Sequence, residues 1–225
     1  MAFSATVCAL LLRRDARKNH MDPDVFLDLL FWVVVAGVVG SRAFFILLNL
    51  SYFQKNPTEI ILLHHGGLAW QGGLVFAVVA GAGFIRYKKM PLLKTLDFVI
   101  PYAALGQAIG RVGCFLNGCC QGQEWAQGIY FPLYHARLHP TQLYSAINLL
   151  VIFFILKWCR SRNAVEGRIF CWYLILASLE RFVVQFLRAD YDPLFLGMGI
   201  FQIINLVIIG LAFYGDIFLL RRARR

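Results

Sequence analysis

The sequence predicts an all-α membrane protein, a polytopic bundle of about seven transmembrane helices with arms on its outer side. Three observations carry that prediction. Of 225 residues, 60% are hydrophobic and only 15% are charged, and the mean hydropathy is +0.65, far from the balance of a water-soluble domain. Apolar runs recur from Val25 to the C-terminus, near the length of about 20 residues that roughly 30 Å of hydrocarbon requires. The loops between those runs alternate between basic and nearly uncharged.

Taken in order, the spans read as 2–12, 26–49, 67–87, 95–117, 140–158, 168–188 and 197–220. The first is too short to cross at about 1.5 Å per residue, so it is expected to be partial, or Met1 is not the natural start. Arg13, Arg14, Arg17 and Lys18 follow it, and only Lys55 follows the second. Arg86, Lys88, Lys89 and Lys94 follow the third; Pro101, Gly106, Gly110 and Gly113 lie in the fourth, where they permit close helix contact or a local break. Arg137 precedes the fifth span, Lys157, Arg160, Arg162 and Arg168 follow it, and Arg221, Arg222, Arg224 and Arg225 close the chain. Because cytoplasmic loops carry the Lys/Arg excess, the N-terminus is expected outside and the C-terminus in the cytoplasm. The two long outer loops, 50–66 and 118–139, hold His64, His65, Trp125, Tyr130 and Tyr134 and read as interfacial arms.

The whole of 1–225 reads as one integral membrane domain, without internal repeat or linker. A net charge of +10 raises nucleic acid as a partner, but the cations sit in short loops without interleaved exposed aromatics, so no nucleic-acid partner is expected. Residues 1–12 lack the basic leading region of a cleavable signal. The six cysteines lie in or beside apolar runs, which does not suggest a disulfide scaffold. Cys114, Cys119 and Cys120, with His64 and His65, raise a metal or redox site, but C-x4-C-C lacks the paired spacing of zinc motifs and no metal is expected.

Function is sought where polarity is expensive. An Arg at the middle of a span costs about 2.5–3.5 kcal/mol on insertion scales and persists with a partner, a wet cavity or a ligand. Arg42, Arg111, Arg181 and Arg188 all fall in predicted spans. Arg181 and Arg188 would stand two turns apart on one stripe with Gln185 between them. Snorkelling to the interface accounts equally well for Arg42 and Arg188, and Glu180 could neutralise a neighbour. Arg111 is surrounded by Gly110, Gly113, Asn117 and Gly118, which leaves room for an anion, and a phosphate is the natural guest of guanidinium groups. Glycines at 66, 67, 72 and 73 around Gln71 bring backbone close to a ligand or simply to another helix. In the run His139 to Tyr144, Pro140 suits a first helical turn and Tyr144 an interfacial anchor, which leaves His139 and Gln142 as polar groups at the depth of Arg111.

Together these residues resemble the phosphatidylglycerol:prolipoprotein diacylglyceryl transferases of bacterial inner membranes. The resemblance rests on Gly40-Ser-Arg42, the segment Gly66 to Gly73, Asp97 through Pro101, the block Gly110-Arg-Val-Gly-Cys-Phe-Leu-Asn-Gly-Cys-Cys-Gln-Gly122, His139 to Tyr144, Glu180-Arg-Phe with Arg188, and Gln202. The Gly110 to Gly122 block is the specific one.

The resemblance implies a seven-helix, multi-pass inner-membrane enzyme of lipoprotein maturation, with its arms on the periplasmic side. It would move diacylglyceryl from phosphatidylglycerol to the lipobox cysteine thiol in the signal peptide of a preprolipoprotein, forming a thioether and releasing glycerol 1-phosphate. Its partners would be those two substrates and membrane lipids, without a cofactor. Carried over residue by residue, Arg111 and Asn117 would hold the headgroup, Arg181 would stabilise the departing phosphate, and Gly122 would shape the adjoining loop. Arg42, His139 and Arg188 would complete the substrate contacts, and Gln71 would take a catalytic position where many members carry His. This chain also has Cys114 and Cys119 where many members have Asn and Glu, Gln185 where they have Glu, and no Tyr in its first helix. A divergent non-catalytic paralogue, or a transporter holding anionic headgroups, is the alternative; an intramembrane protease would need a nucleophile and base at helical spacing, which the scattered acids Asp28, Asp97, Glu180 and Asp216 do not provide.

Overall fold

The computed structural model describes residues 2–60, 66–67, 69–162, 165–194 and 197–223. His64, His65, Arg224 and Arg225, which figured in the sequence reading, lie outside these. Eight α-helices stand among the described residues: α1 (Ala2–Lys18), α2 (Pro23–Leu48), the short α3 (Leu50–Lys55), α4 (Trp70–Tyr87), α5 (Leu92–Leu116), α6 (Thr141–Arg162), α7 (Arg168–Gln185) and α8 (Ile200–Ala223). Four of them, α2, α5, α6 and α8, are long and apolar enough to cross a membrane. The chain is a helical membrane protein. Its outward faces are apolar, with Val75, Val78 and Val79 on α4, Phe154 and Trp158 on α6, and Val207 and Leu211 on α8 all exposed. Its buried residues include Thr141, Gln142, Ser145, Gln185 and Gln202, since polar groups facing hydrocarbon would go unpaired.

The structure redraws several boundaries. The first helix runs on to Lys18, so the basic cluster expected in a loop forms its last turns. The 50–66 arm is partly helical, with α3 followed by a 3-10 turn over Pro57–Ile60. An all-α fold is also not complete: the loop 118–139 carries a hairpin of β1 (Glu124–Phe131) and β2 (Ala136–Leu138), antiparallel, with an irregularity between Glu124 and Ile129. The period-2 signal was hidden because β1 is exposed at six of its eight positions, leaving no buried face to write an alternation. Finally, the span 168–188 stops at Gln185. Phe186, Leu187 and Arg188 donate to carbonyls three residues back, a tightening typical of a last turn, and Arg188 then bridges to Gly122 in extended fashion.

The chain forms two compact units, one over Ala5–Leu92 and one made chiefly of Leu93–Arg225. In the first, α2 packs along α4. Gly40 and Gly72 face each other so closely that a Cβ on Gly72 would overlap the Gly40 carbonyl oxygen and Phe44. The glycine-rich opening of α4 is thus a helix-packing surface of the small-residue kind.

In the second unit, α7 packs against α6 and α8, and both ends of the helices are tied. At one end Asp97 of α5 accepts the backbone N–H of Gly167 at 2.6 Å and of Phe170 at 2.8 Å, capping α7. Arg160 of α6 donates to the Phe98 carbonyl at 3.0 Å, and Arg168 of α7 pairs with Asp216 of α8 at 2.8 Å. So α5 and α7 run one way and α6 and α8 the other. Two of the acids that sequence reading left scattered, Asp97 and Asp216, are therefore structural ties. At α8, Gln202 is fully buried, accepts the Gly199 N–H at 2.8 Å and donates to the Phe182 carbonyl at 3.3 Å.

Candidate active site

The opposite end of the same unit gathers the C-terminal end of α5, the start of α6 and the turn after α7. The chain leaves α5 through left-handed conformations at Gly118 (φ 70°) and Cys120 (φ 61°). Residues 121–123 then lie between two other segments. Gly122 donates its N–H to the His139 carbonyl at 2.9 Å and His139 returns one to Gln123 at 3.0 Å; on the other side Gln123 donates to Leu187 at 2.9 Å and Ala189 to Gln121 at 3.2 Å. Gly122 has no room for a side chain: a Cβ would stand 2.5 Å from the His139 Cβ and 2.6 Å from the Leu187 carbonyl oxygen. From α6, Thr141 Oγ1 donates to the Cys120 carbonyl at 2.9 Å and Gln142 Nε2 to the Cys119 carbonyl at 2.7 Å. The turn is fastened on every side by backbone and buried polar groups, which gives it a single shape.

Guanidinium groups cluster below this strap. Arg188 grips Asp190 through two parallel hydrogen bonds of 2.7 Å each, the bidentate arrangement for which Arg is suited. That grip holds the Asp190 carboxyl below its ordinary range. Glu180 of α7 is buried in the field of Arg111, Arg181 and Arg188 and within reach of the Ser145 hydroxyl. Its Oε1 has no hydrogen-bond partner among the described residues. Arg181 feels the like charges of Arg188 and Arg111 together with the opposite charges of Asp190 and Glu180. Three guanidiniums against two carboxylates leave a positive excess that a phosphate could fill. His139 stacks on Trp125, ring centroids 4.5 Å apart and planes within 4°. Its Nδ1 lies 3.5 Å from the Tyr144 hydroxyl.

A family model described as prolipoprotein diacylglyceryl transferase matches residues 1–218. The chain belongs to the prolipoprotein diacylglyceryl transferase family. It is 34% identical over 196 residues to the phosphatidylglycerol-prolipoprotein diacylglyceryl transferase of Finegoldia magna, covering 86% of this chain and 78% of that one. To the enzyme of the same name from Geobacillus kaustophilus it is 32% identical over 226 residues, covering 95% and 83%, and to that of Listeria innocua 32% over 200 residues, covering 83% and 72%.

Within this diacylglyceryl transferase fold, Arg111, Arg181, Arg188, Gly122 and His139 all fall in the unit of α5–α8, and the first three share one electrostatic cluster. Asn117 closes the same helix end, its N–H bonded to the Gly113 carbonyl at 3.0 Å and its side chain exposed. Arg188 is not on a helical stripe with Arg181, because α7 has ended; it reaches the cluster from the strap. Arg42 and Gln71 belong to the other unit. Arg42 is buried and donates to the carbonyls of Glu59, Ile60 at 3.1 Å, Gly66 at 2.7 Å and Gly67 at 3.0 Å, so it fastens the arm that follows α3. Gln71 is exposed in the first turn of α4. Sequence reasoning missed Asp190 as the partner of Arg188 and Ser145 as that of Glu180. The first follows from placing the helix end too late; Asp-Tyr-Asp-Pro, at 190–193, was the available stop signal. The second joins residues 35 positions apart, for which a single sequence carries no signal.

Proposed function

We propose that this chain transfers the diacylglyceryl group of phosphatidylglycerol to the lipobox cysteine thiol of a preprolipoprotein, in the inner membrane, through a multi-pass bundle of seven crossing helices. The observation that carries the reading is the convergence of Arg111, Arg181 and Arg188 around a buried carboxylate beneath a rigid strap. The thiol sulphur attacks the glyceryl carbon that bears the phosphate ester, a C–S bond forms, and the C–O bond breaks with its electron pair leaving on glycerol 1-phosphate. Negative charge grows on the departing oxygen, where fixed guanidinium donors are worth more than in the starting ester.

Each residue then has a task. Arg111 and Asn117 hold the headgroup, and Arg181 stabilises the leaving phosphate. Arg188 keeps the strap closed through Asp190 while adding its charge to the site. Gly122 and His139 form the wall of the headgroup site. The thiol proton needs an acceptor, and Glu180, with an uncommitted oxygen in the same cluster, takes it. Arg42 supports substrate entry by holding Glu59, Ile60, Gly66 and Gly67, and Gln71 offers a hydrogen-bonding amide that cannot act as a base, since amides do not titrate near neutrality.

The experiment is transfer of labelled diacylglyceryl from phosphatidylglycerol to a lipobox peptide by the purified protein in mixed micelles. Arg111→Ala should lose at least about a hundredfold in kcat/KM, the scale of one transition-state donor, and Glu180→Gln should lower kcat with little change in KM. An Arg111→Ala protein as active as the parent would overturn the reading. Retained headgroup binding without product, in the unaltered protein, would point to the lipid-holding alternative instead.

A further inference from the structure

The proposed reaction leaves one cluster of thiol side chains without a role. Of the six cysteines, Cys8, Cys159 and Cys171 are buried and separate, as small hydrophobes would be. Cys114, Cys119 and Cys120 are not: they are partly exposed, and their three thiol sulphurs all lie within 4.8 Å of one another. The spacing C-x4-C-C argued against a metal site, because it lacks the paired spacing of zinc motifs. The backbone removes that objection. Gly118 and Cys120 both take left-handed conformations, so the chain doubles back on the end of α5 and brings two adjacent thiols to the one projecting from the helix.

A left-handed φ at a residue with a Cβ is costly, and here the turn is held in it by Thr141 and Gln142 gripping the carbonyls of Cys120 and Cys119. The Cys119 thiol additionally lies 3.6 Å from the Cys114 carbonyl oxygen. The surroundings are cationic. The Arg188 guanidinium is within hydrogen-bonding reach of the Cys120 sulphur, and Arg111 is the charged neighbour of Cys114.

From this geometry we infer a metal site: Cys114, Cys119 and Cys120 together bind one thiophilic d10 cation, Cu(I) or Zn(II), as three thiolates. Metal–sulphur bonds near 2.3 Å set sulphurs about 4 Å apart around one ion, a separation the cluster already approaches. Soft thiolates select these ions over hard cations. Three thiolates around Cu(I) carry two net negative charges and around Zn(II) one, and Arg111 and Arg188 offset them. Three protons leave to solvent on binding, and no electron is transferred. The ion would fasten the end of α5 to the turn that follows it. The inference stands on the thiol geometry and does not depend on the transfer reaction.

The test uses the full chain in detergent, reduced and freed of metal under anaerobic conditions, then titrated separately with Zn(II) and with Cu(I) delivered from a weak ligand. One equivalent of either ion should be retained after desalting and counted by elemental analysis. Cd(II) should produce a thiolate-to-metal absorption band. Cys114→Ser, Cys119→Ser and Cys120→Ser should each weaken binding at least tenfold, whereas Cys8→Ser, Cys159→Ser and Cys171→Ser should not. In the unaltered protein, bound metal should protect these three thiols from alkylation, read by peptide mass, so the inference stays testable even if a Ser variant misfolds. No uptake, uptake that survives Cys114→Ser in a folded variant, or a disulfide among the three with no uptake after reduction would overturn it.

Discussion

At the scale of single residues, the candidate site depends on one position that has no side chain. Gly122 is not in a left-handed conformation; its constraint is space, since His139 and Leu187 flank it on opposite sides. Gly122→Ala must push one of them away, and overpacking of this kind costs about 1–3 kcal/mol. Because the displaced segments carry His139 and, through Leu187, Arg188, the cost should fall on transfer as well as on stability. The expected result is a folded protein with transfer to a lipobox peptide reduced about tenfold or more, measured beside its melting temperature. Parental activity in Gly122→Ala would show that the strap need not keep this spacing. The Arg188–Asp190 pair belongs to the same scale. Its depressed Asp190 pKa adds stability above the unfolded carboxylate range that is lost as pH falls through the folded value. Asp190 is half exposed, with 52% of its side chain accessible, so screening keeps that contribution small.

At the scale of elements, the long apolar helices were legible because their signal is length, and the end-ties were not, because they join distant positions. Spans 95–117 and 140–158 lie within a few residues of α5 and α6, since about 20 apolar residues in a row admit few alternatives. The hairpin at 124–138 left no trace because its strands bury almost nothing. In the site, Arg111 was legible as a charge among glycines, whereas the convergence of three thiols needed the two left-handed residues, which composition does not announce. Asp97 illustrates a tie. Burying a carboxylate is expensive, yet here it closes the N-terminus of α7, where free N–H groups and the helix dipole favour an anion. Asp97→Ala removes both acceptors and should destabilise the folded protein by about 1–3 kcal/mol. Asp97→Asn, which keeps one acceptor, should lose less. Thermal unfolding in detergent measures both, and Asp97→Ala melting with the parent would remove the cap from the account.

For the whole molecule, the two ends of the α5–α8 unit differ in kind, and that difference supports a proposed orientation. One end carries Lys94, Lys157, Arg160, Arg162, Arg168, Arg221 and Arg222, tied by Asp97 and Asp216. The other carries the strap, the hairpin and the cluster of Arg111, Arg181 and Arg188, whose charges are taken up by Glu180, Asp190 and, in the proposed reaction, a phosphate. The first set lies at or beside span ends, where the Lys/Arg rule counts residues as a topological signal. On the proposed reading the basic end faces the cytoplasm and the site end faces outward, towards the surface where the thiol of an exported peptide would arrive. On the same reading the antiparallel course of α5 to α8 puts the C-terminal end of α8 on the cytoplasmic side, since α8 finishes at the basic end with Arg221 and Arg222. A fluorescent protein fused after residue 225 should fold and fluoresce in cells, and alkaline phosphatase at the same place should be inactive. A cysteine introduced at Gln127 in the hairpin should react with a membrane-impermeant maleimide added outside, above the background of the native thiols, while one at Ser161 should react only after permeabilisation. Labelling in the reverse order would place the guanidinium cluster on the cytoplasmic side, where the proposed peptide substrate does not present its cysteine, and the assignment of that cluster to transfer would fall with the orientation.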